Sequence, residues 1–132
     1  MAADGDRPSI LVIDDDAVIR GILVAYLAKK GFDVIAVPSY EIALRNYSAE
    51  NFAAVFCDII IEDGMGGVEG IQELRRVSPS AMIIAISGGF LGMLPGVALR
   101  MAEAAGADRA LKKPIDFNEL AGLLSDLANP SD

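Results

Sequence analysis

Short apolar runs of strand length alternate with longer segments of helical period along the whole chain, and this alternation constrains the fold more than any other feature. Ile10-Leu11-Val12-Ile13 is a continuous, β-branched-rich run, as a strand covered on both faces requires. Between Ala17 and Lys30 the pattern changes. Val18, Ile22 and Tyr26, and beside them Ile19, Leu23 and Leu27, recur at helical spacing, and Gly31 is a natural stop. Asp33 to Val37 reads as a second, weaker strand, and Ser39 caps a helix running to about Ser48. Ala54-Val55-Phe56-Cys57 is a third strand, ending at Asp58. Val68 to Val77 is a helix with Val68, Ile71, Leu74 and Val77 on one face. Ala81 to Ile86 is a fourth strand, and Pro95 opens a helix to about Ala105, before Gly106. Arg109-Ala110-Leu111 is a short fifth strand. Asp116-Phe117-Asn118-Glu119 has the spacing of a capping box for a last helix carrying Leu120, Leu123, Leu124 and Leu127. Five strand–helix units in strict alternation imply an α/β fold, a doubly wound five-stranded parallel sheet with helices on both faces. One domain is expected over residues 9–128, with flexible tails at 1–8 and 129–132.

Composition narrows the function classes. The chain is 53% hydrophobic, enough for a real core, and its formal charge of −8 argues against general affinity for nucleic acid or anionic membrane. A single cysteine, Cys57, excludes an internal disulfide framework. There is no histidine, so imidazole chemistry has to come from a partner. Val77 to Leu99 carries no charge and is long enough to span a bilayer. Its prolines, glycines and serines instead read as a strand followed by a glycine-rich loop. With no signal-peptide pattern in Met1 to Ser9, the expectation is a cytoplasmic protein without membrane insertion.

In open parallel sheets the site lies beyond the carboxyl ends of the strands. The first strand ends in Asp14-Asp15-Asp16, the third in Asp58, the fourth in Ser87-Gly88 and the fifth in Lys112-Lys113-Pro114. Two unit negative charges about 4 Å apart repel by about 4 kcal/mol at an effective dielectric near 20. Clustered aspartates therefore need positive charge among them. Lys113 supplies one, and a divalent oxygen-loving cation, with magnesium the best match, would supply the rest. Such a site favours a phosphoryl group, whose transfer is mainly positioning and charge neutralisation.

On these motifs the chain resembles the receiver domains of two-component response regulators, over roughly Ser9 to Leu127. The motifs are Ile10-Leu11-Val12-Ile13-Asp14-Asp15-Asp16 with Arg20, Val55-Phe56-Cys57-Asp58, Ile86-Ser87-Gly88 and Leu111-Lys112-Lys113-Pro114. The resemblance implies a flavodoxin-like (βα)5 fold with Asp58 as phosphoacceptor. Its donor would be a histidine on a sensor kinase or on a histidine phosphotransfer protein. Mg²⁺ would be held by Asp15 directly, Asp14 through water, Asp58, and the backbone carbonyl of Ile60. Ser87 would turn inward to a phosphoryl oxygen, and Lys113 would pair with the same group; Asp16 would be secondary. The expected role is a stand-alone receiver that is not an enzyme and signals by binding a downstream protein target.

The chain also departs from that family. The loop after Asp58 lacks the usual Met-Pro and carries an insertion from Glu62 to Gly67, and the loop after Ser87 is extended through Gly89 to Leu94. Met65, Phe90, Leu91, Met93 and Leu94 would form a partner-specific rim around Asp58, or else pack on one another. Ala110 stands where the family has a switching aromatic. Ile60 offers no polar side chain to place an attacking water, so slow self-dephosphorylation is expected. Two alternatives stay open: a non-phosphorylated pseudo-receiver scaffold, and a haloacid-dehalogenase-type phosphatase. In the second, Asp14 would be the nucleophile and Asp16 the general acid/base within Asp14-Asp15-Asp16-Ala17-Val18.

Overall fold

The computed structural model describes residues 7–61, 64–88 and 95–128. In chain order the elements are β1 (Ser9–Ile13), α1 (Ala17–Lys29), β2 (Asp33–Val37), α2 (Tyr40–Asn46), β3 (Ala54–Asp58), α3 (Gly67–Val77), β4 (Ile83–Ser87), α4 (Pro95–Ala105), β5 (Arg109–Lys112) and α5 (Phe117–Ala128). All neighbouring strands are parallel, in the order β2-β1-β3-β4-β5. The chain winds outward from β1 to β2 and then crosses back to β3 on the other side of β1. That reversal opens a crevice at the carboxyl ends of β1 and β3.

The period-two alternation of the strands divides the core into two layers. Ile10, Val12, Phe56, Ile84 and Ile86 face Leu23 and Leu27 of α1 and Leu120, Leu123 and Leu124 of α5. Leu11, Ile13, Val55, Cys57, Ile83 and Ala85 face Tyr40 and Ala43 of α2, Ile71 and Leu74 of α3, and Ala102 and Ala105 of α4. Each large side chain fully buried this way stabilises the fold by about 1.5–3 kcal/mol.

Several element ends differ from the sequence reading. α2 stops at Asn46, and a separate 3-10 turn forms at Ala49–Asn51. Tyr47 ends the helix: its amide still bonds to the Ala43 carbonyl at 3.0 Å, but its own backbone is already extended, with φ −137° and ψ 152°. β4 begins at Ile83, because Ala81 is bent into the turn after α3: its amide donates to the Ser78 carbonyl and its carbonyl accepts from Arg75. In α1 only Leu23 and Leu27 are buried, while Val18 is 68% exposed and Ile22 lies outward with it. Asp116 caps α5 through the amides of Asn118 and Glu119, whereas Glu119 itself is exposed, so half of the capping box forms. Arg7 donates to the carbonyls of Gly31 and Phe32, and Pro8 accepts from the Asp33 amide. Residues 1–6 and 129–132 of the expected tails lie outside the described residues, as do Glu62, Asp63 and the Gly89–Leu94 extension.

Candidate functional site

The three consecutive aspartates after β1 have three different environments. Asp14 is completely buried. Its amide donates to Val37 O at 3.1 Å, its carbonyl accepts from Arg20 Nη1 at 2.7 Å, and its Oδ1 accepts from the Asp16 amide at 2.9 Å. Asp15 is exposed. Asp16 is the N-cap of α1, with Oδ1 accepting from the Val18 and Ile19 amides at 2.9 and 3.4 Å. Its carboxylate thereby satisfies two amides that the helix leaves without partners.

Asp58 ends β3 and is 3% exposed. Its Oδ1 accepts from the Ile60 amide at 2.9 Å, and its Oδ2 accepts from Lys113 Nζ at 3.0 Å. Lys113 Nζ also lies 3.0 Å from Asp14 Oδ2. That approach is an ion pair without hydrogen-bond alignment, and Asp14 Oδ2, though buried, has no hydrogen-bond partner among the described residues. Carboxylate oxygens of Asp14, Asp15 and Asp58 come within 4.8 Å of one another. Three acids thus share one nearby ammonium. The imbalance shows in both partners. Burial pushes the Asp58 carboxyl up to about 6, and the charge of Asp14 adds to this against the Ile60 amide and Lys113. Burial works to lower the Lys113 ammonium, but the hydrogen bond and charge of Asp58, with the charge of Asp14, hold it above its ordinary value. The lysine is oversupplied with carboxylates, and the carboxylates are undersupplied with cations. An all-oxygen donor set with a buried, unpartnered Asp14 oxygen fits a hard divalent cation such as Mg²⁺.

Ser87 is buried at the end of β4, but its hydroxyl is not engaged with Asp58. It makes a long bond of 3.4 Å to Gly88 O, while its carbonyl accepts from the Lys113 amide at 2.8 Å. Ile60 is half-buried with its side chain packed on the core. Met65, expected in an apolar rim, packs inward on the same core layer, and its amide donates to Glu41 Oε2 at 2.8 Å. The opening of α3 is drawn tightly against the acid-bearing strand: a Cβ on Gly67 would overlap the Ile59 backbone. Sequence reasoning missed Glu41 and also Tyr40, whose buried hydroxyl donates to the Asp58 carbonyl at 2.7 Å. A tyrosine at the start of a helix carries no local signal of that contact.

The model for the response regulator receiver domain matches residues 10–125 of this sequence. The chain belongs to that family. Among similar proteins, the receiver shares 33% identity over 124 residues with the two-component response regulator PhoP of Pseudomonas aeruginosa, covering 92% of this chain and 52% of PhoP. It shares 32% over 122 residues with the photosynthetic apparatus regulatory protein RegA of Rhodovulum sulfidophilum, covering 92% of this chain and 64% of RegA. It therefore spans between half and two thirds of the length of these two relatives. The receiver domain of NtrX from Brucella abortus superimposes with a TM-score of 0.81 at 24% identity, covering 92% of this chain and 99% of that one. A two-component response regulator from Clostridium difficile gives 0.81 at 22% identity, covering 94% and 98%. At these identities the two structures establish the flavodoxin-like fold alone.

Proposed function

We propose that this receiver accepts a phosphoryl group on Asp58 from a phosphohistidine of a sensor histidine kinase or histidine phosphotransfer protein, and signals by binding a downstream protein. The observation that carries the reading is the Asp14–Asp15–Asp58 cluster around a single lysine, in a chain with no histidine of its own. An Asp58 carboxylate oxygen attacks phosphorus, the phosphorus–nitrogen bond breaks, and its electron pair returns to the partner's imidazole. The product is an acyl phosphate on Asp58. Lys113, already 3.0 Å from Asp58 Oδ2, is placed to follow the new negative charge. The Ser87 hydroxyl gives up only a 3.4 Å contact to turn toward a phosphoryl oxygen. Asp14, Asp15, Asp58 and the Ile60 carbonyl would hold Mg²⁺, which when bound neutralises charge on the transferring group. In this reading the domain is cytoplasmic, its chemistry is confined to itself, and its charge of −8 suits a protein partner better than nucleic acid. The apolar Ile60 side chain supports a long-lived phosphoryl group, so a half-life of seconds would contradict that part of the reading.

The test is intact mass after phosphoramidate and Mg²⁺ on wild type, Asp58→Asn and Asp14→Asn. One added phosphoryl group that disappears in Asp58→Asn is the expected result. Label that survives there but is lost in Asp14→Asn would point to an Asp14 nucleophile of the phosphatase kind. A wild type that takes no label from phosphoramidate or from a phosphorylated histidine partner would be a scaffold.

A further inference from the structure

The Asp58 side chain is held by Ile60 and Lys113, but its main chain is held from α2. The β1–β3 ladder ends at the Ile13–Cys57 pair, and on the other side the Ile59 amide bonds to Ile86 O. The Asp58 carbonyl therefore lies past the last β1 partner. The Tyr40 hydroxyl supplies its donor, at 2.7 Å and fully out of solvent, beside the Cys57 thiol. The ring has no room to drift: a Cβ on Gly70 would overlap it, so glycine at that point in α3 is what lets the tyrosine lie flat there. Three residues earlier, the Val37 carbonyl holds the Asp14 amide at 3.1 Å. The short segment from Val37 to Tyr40 thus fixes the main chains of both buried acids.

We propose that Tyr40 is a positioning residue for phosphoryl acceptance: its hydroxyl, bonded to the Asp58 carbonyl, sets where the acceptor carboxylate stands relative to Asp14 and Lys113. The inference rests on Asp58 being the phosphoacceptor. Reacting groups must be placed to within a fraction of an ångström, and a misplacement of about 1 Å can cost about a hundredfold in rate. A hydroxyl that merely satisfied a buried carbonyl would lower stability when removed and leave the chemistry of the folded molecules untouched.

The experiment compares wild type, Tyr40→Phe and a variant with 4-fluorophenylalanine at position 40. The fluorinated ring fills the hydroxyl's space but cannot donate, which separates loss of the hydrogen bond from loss of packing. Two quantities are read: the phosphoramidate labelling rate at saturating Mg²⁺, per folded molecule, and the Mg²⁺ dissociation constant from amide NMR shifts. We expect labelling to slow about fivefold or more and Mg²⁺ binding to weaken about threefold or more, in both variants. A smaller change in either quantity, in either variant, overturns the proposal while leaving Asp58 as acceptor. A wild type that takes no label overturns the acceptor reading and this inference with it.

Discussion

Acidic side chains sit at both ends of the sheet, and the two ends treat them in opposite ways. At the amino end, Asp108 precedes β5 and its Oδ2 accepts from the Ile83 amide at 2.8 Å and from Arg75 Nη2 at 2.6 Å. Arg75 spends its remaining donors on the carbonyls of Gly106, Pro79 and Ala81, tying α3 to β4 and to the turn before β5. Each charge there meets a matched partner, so the network is closed. At the carboxyl end three acids share Lys113, and a buried Asp14 oxygen has no hydrogen bond among the described residues. The residue types are alike; the count of donors is not. A closed network holds the fold together, whereas an open one keeps an unmet demand for positive charge that a cation and a phosphoryl group can satisfy.

The sharpest way to break this contrast is to remove one group from each end. Arg75→Ala takes the donor from three carbonyls and the ion pair from Asp108, which keeps only the Ile83 amide, and should lower the unfolding free energy by about 1–3 kcal/mol in denaturant titration. The labelling rate of the folded fraction should be unchanged. Asp58→Asn should do the reverse, abolishing labelling while raising the stability of the metal-free protein by roughly 1–3 kcal/mol at pH 7.

The second effect carries a pH signature. Because the folded-state pKa of Asp58 is raised to about 6, the folded protein binds this proton more tightly than the unfolded chain does. Its contribution to stability is therefore present at about pH 4 and lost as pH rises through about 6. The stability advantage of Asp58→Asn over wild type should accordingly open between about pH 4 and 6 and level off above. An advantage that is constant with pH would mean that burial does not strain this carboxylate.

The smallest effect separates neighbours within the open end. Asp16→Ala should cost about 1 kcal/mol through the lost α1 cap, with Mg²⁺ affinity changed by less than about threefold. Asp15→Ala should leave stability nearly unchanged and weaken Mg²⁺ at least about tenfold, by calorimetric titration. Equal metal effects of the two would erase the distinction drawn between cap and ligand.

Much of this was legible in the chain. The alternation of β-branched runs with helical periods, with Gly31 and Gly106 past two helix ends, fixes ten elements, and their order leaves little choice but a parallel sheet. Strand-end chemistry points Asp14, Asp15, Asp58 and Lys113 to one edge of the sheet, and in the structure the three carboxylates lie close together with Lys113 against Asp14 and Asp58. These signals are local: they depend on a residue, its neighbours within a turn, and the rule that parallel strands end on one edge. Other assignments were beyond local reading. Nothing in three consecutive aspartates says which is buried, which is exposed and which caps a helix, because that depends on where α1 leaves the sheet. Nor does the sequence show that Val18 and Ile22 face outward while Leu23 and Leu27 face in, since both rows have helical period. Tyr40 reaches Asp58 across 18 residues and Arg75 reaches Asp108 across 33. Sequence alone determined the elements and the kinds of side chain delivered to the strand ends. Tertiary structure decided which of those side chains met a partner, because hydrogen-bond and charge matching depends on distances that only the packed crossovers set.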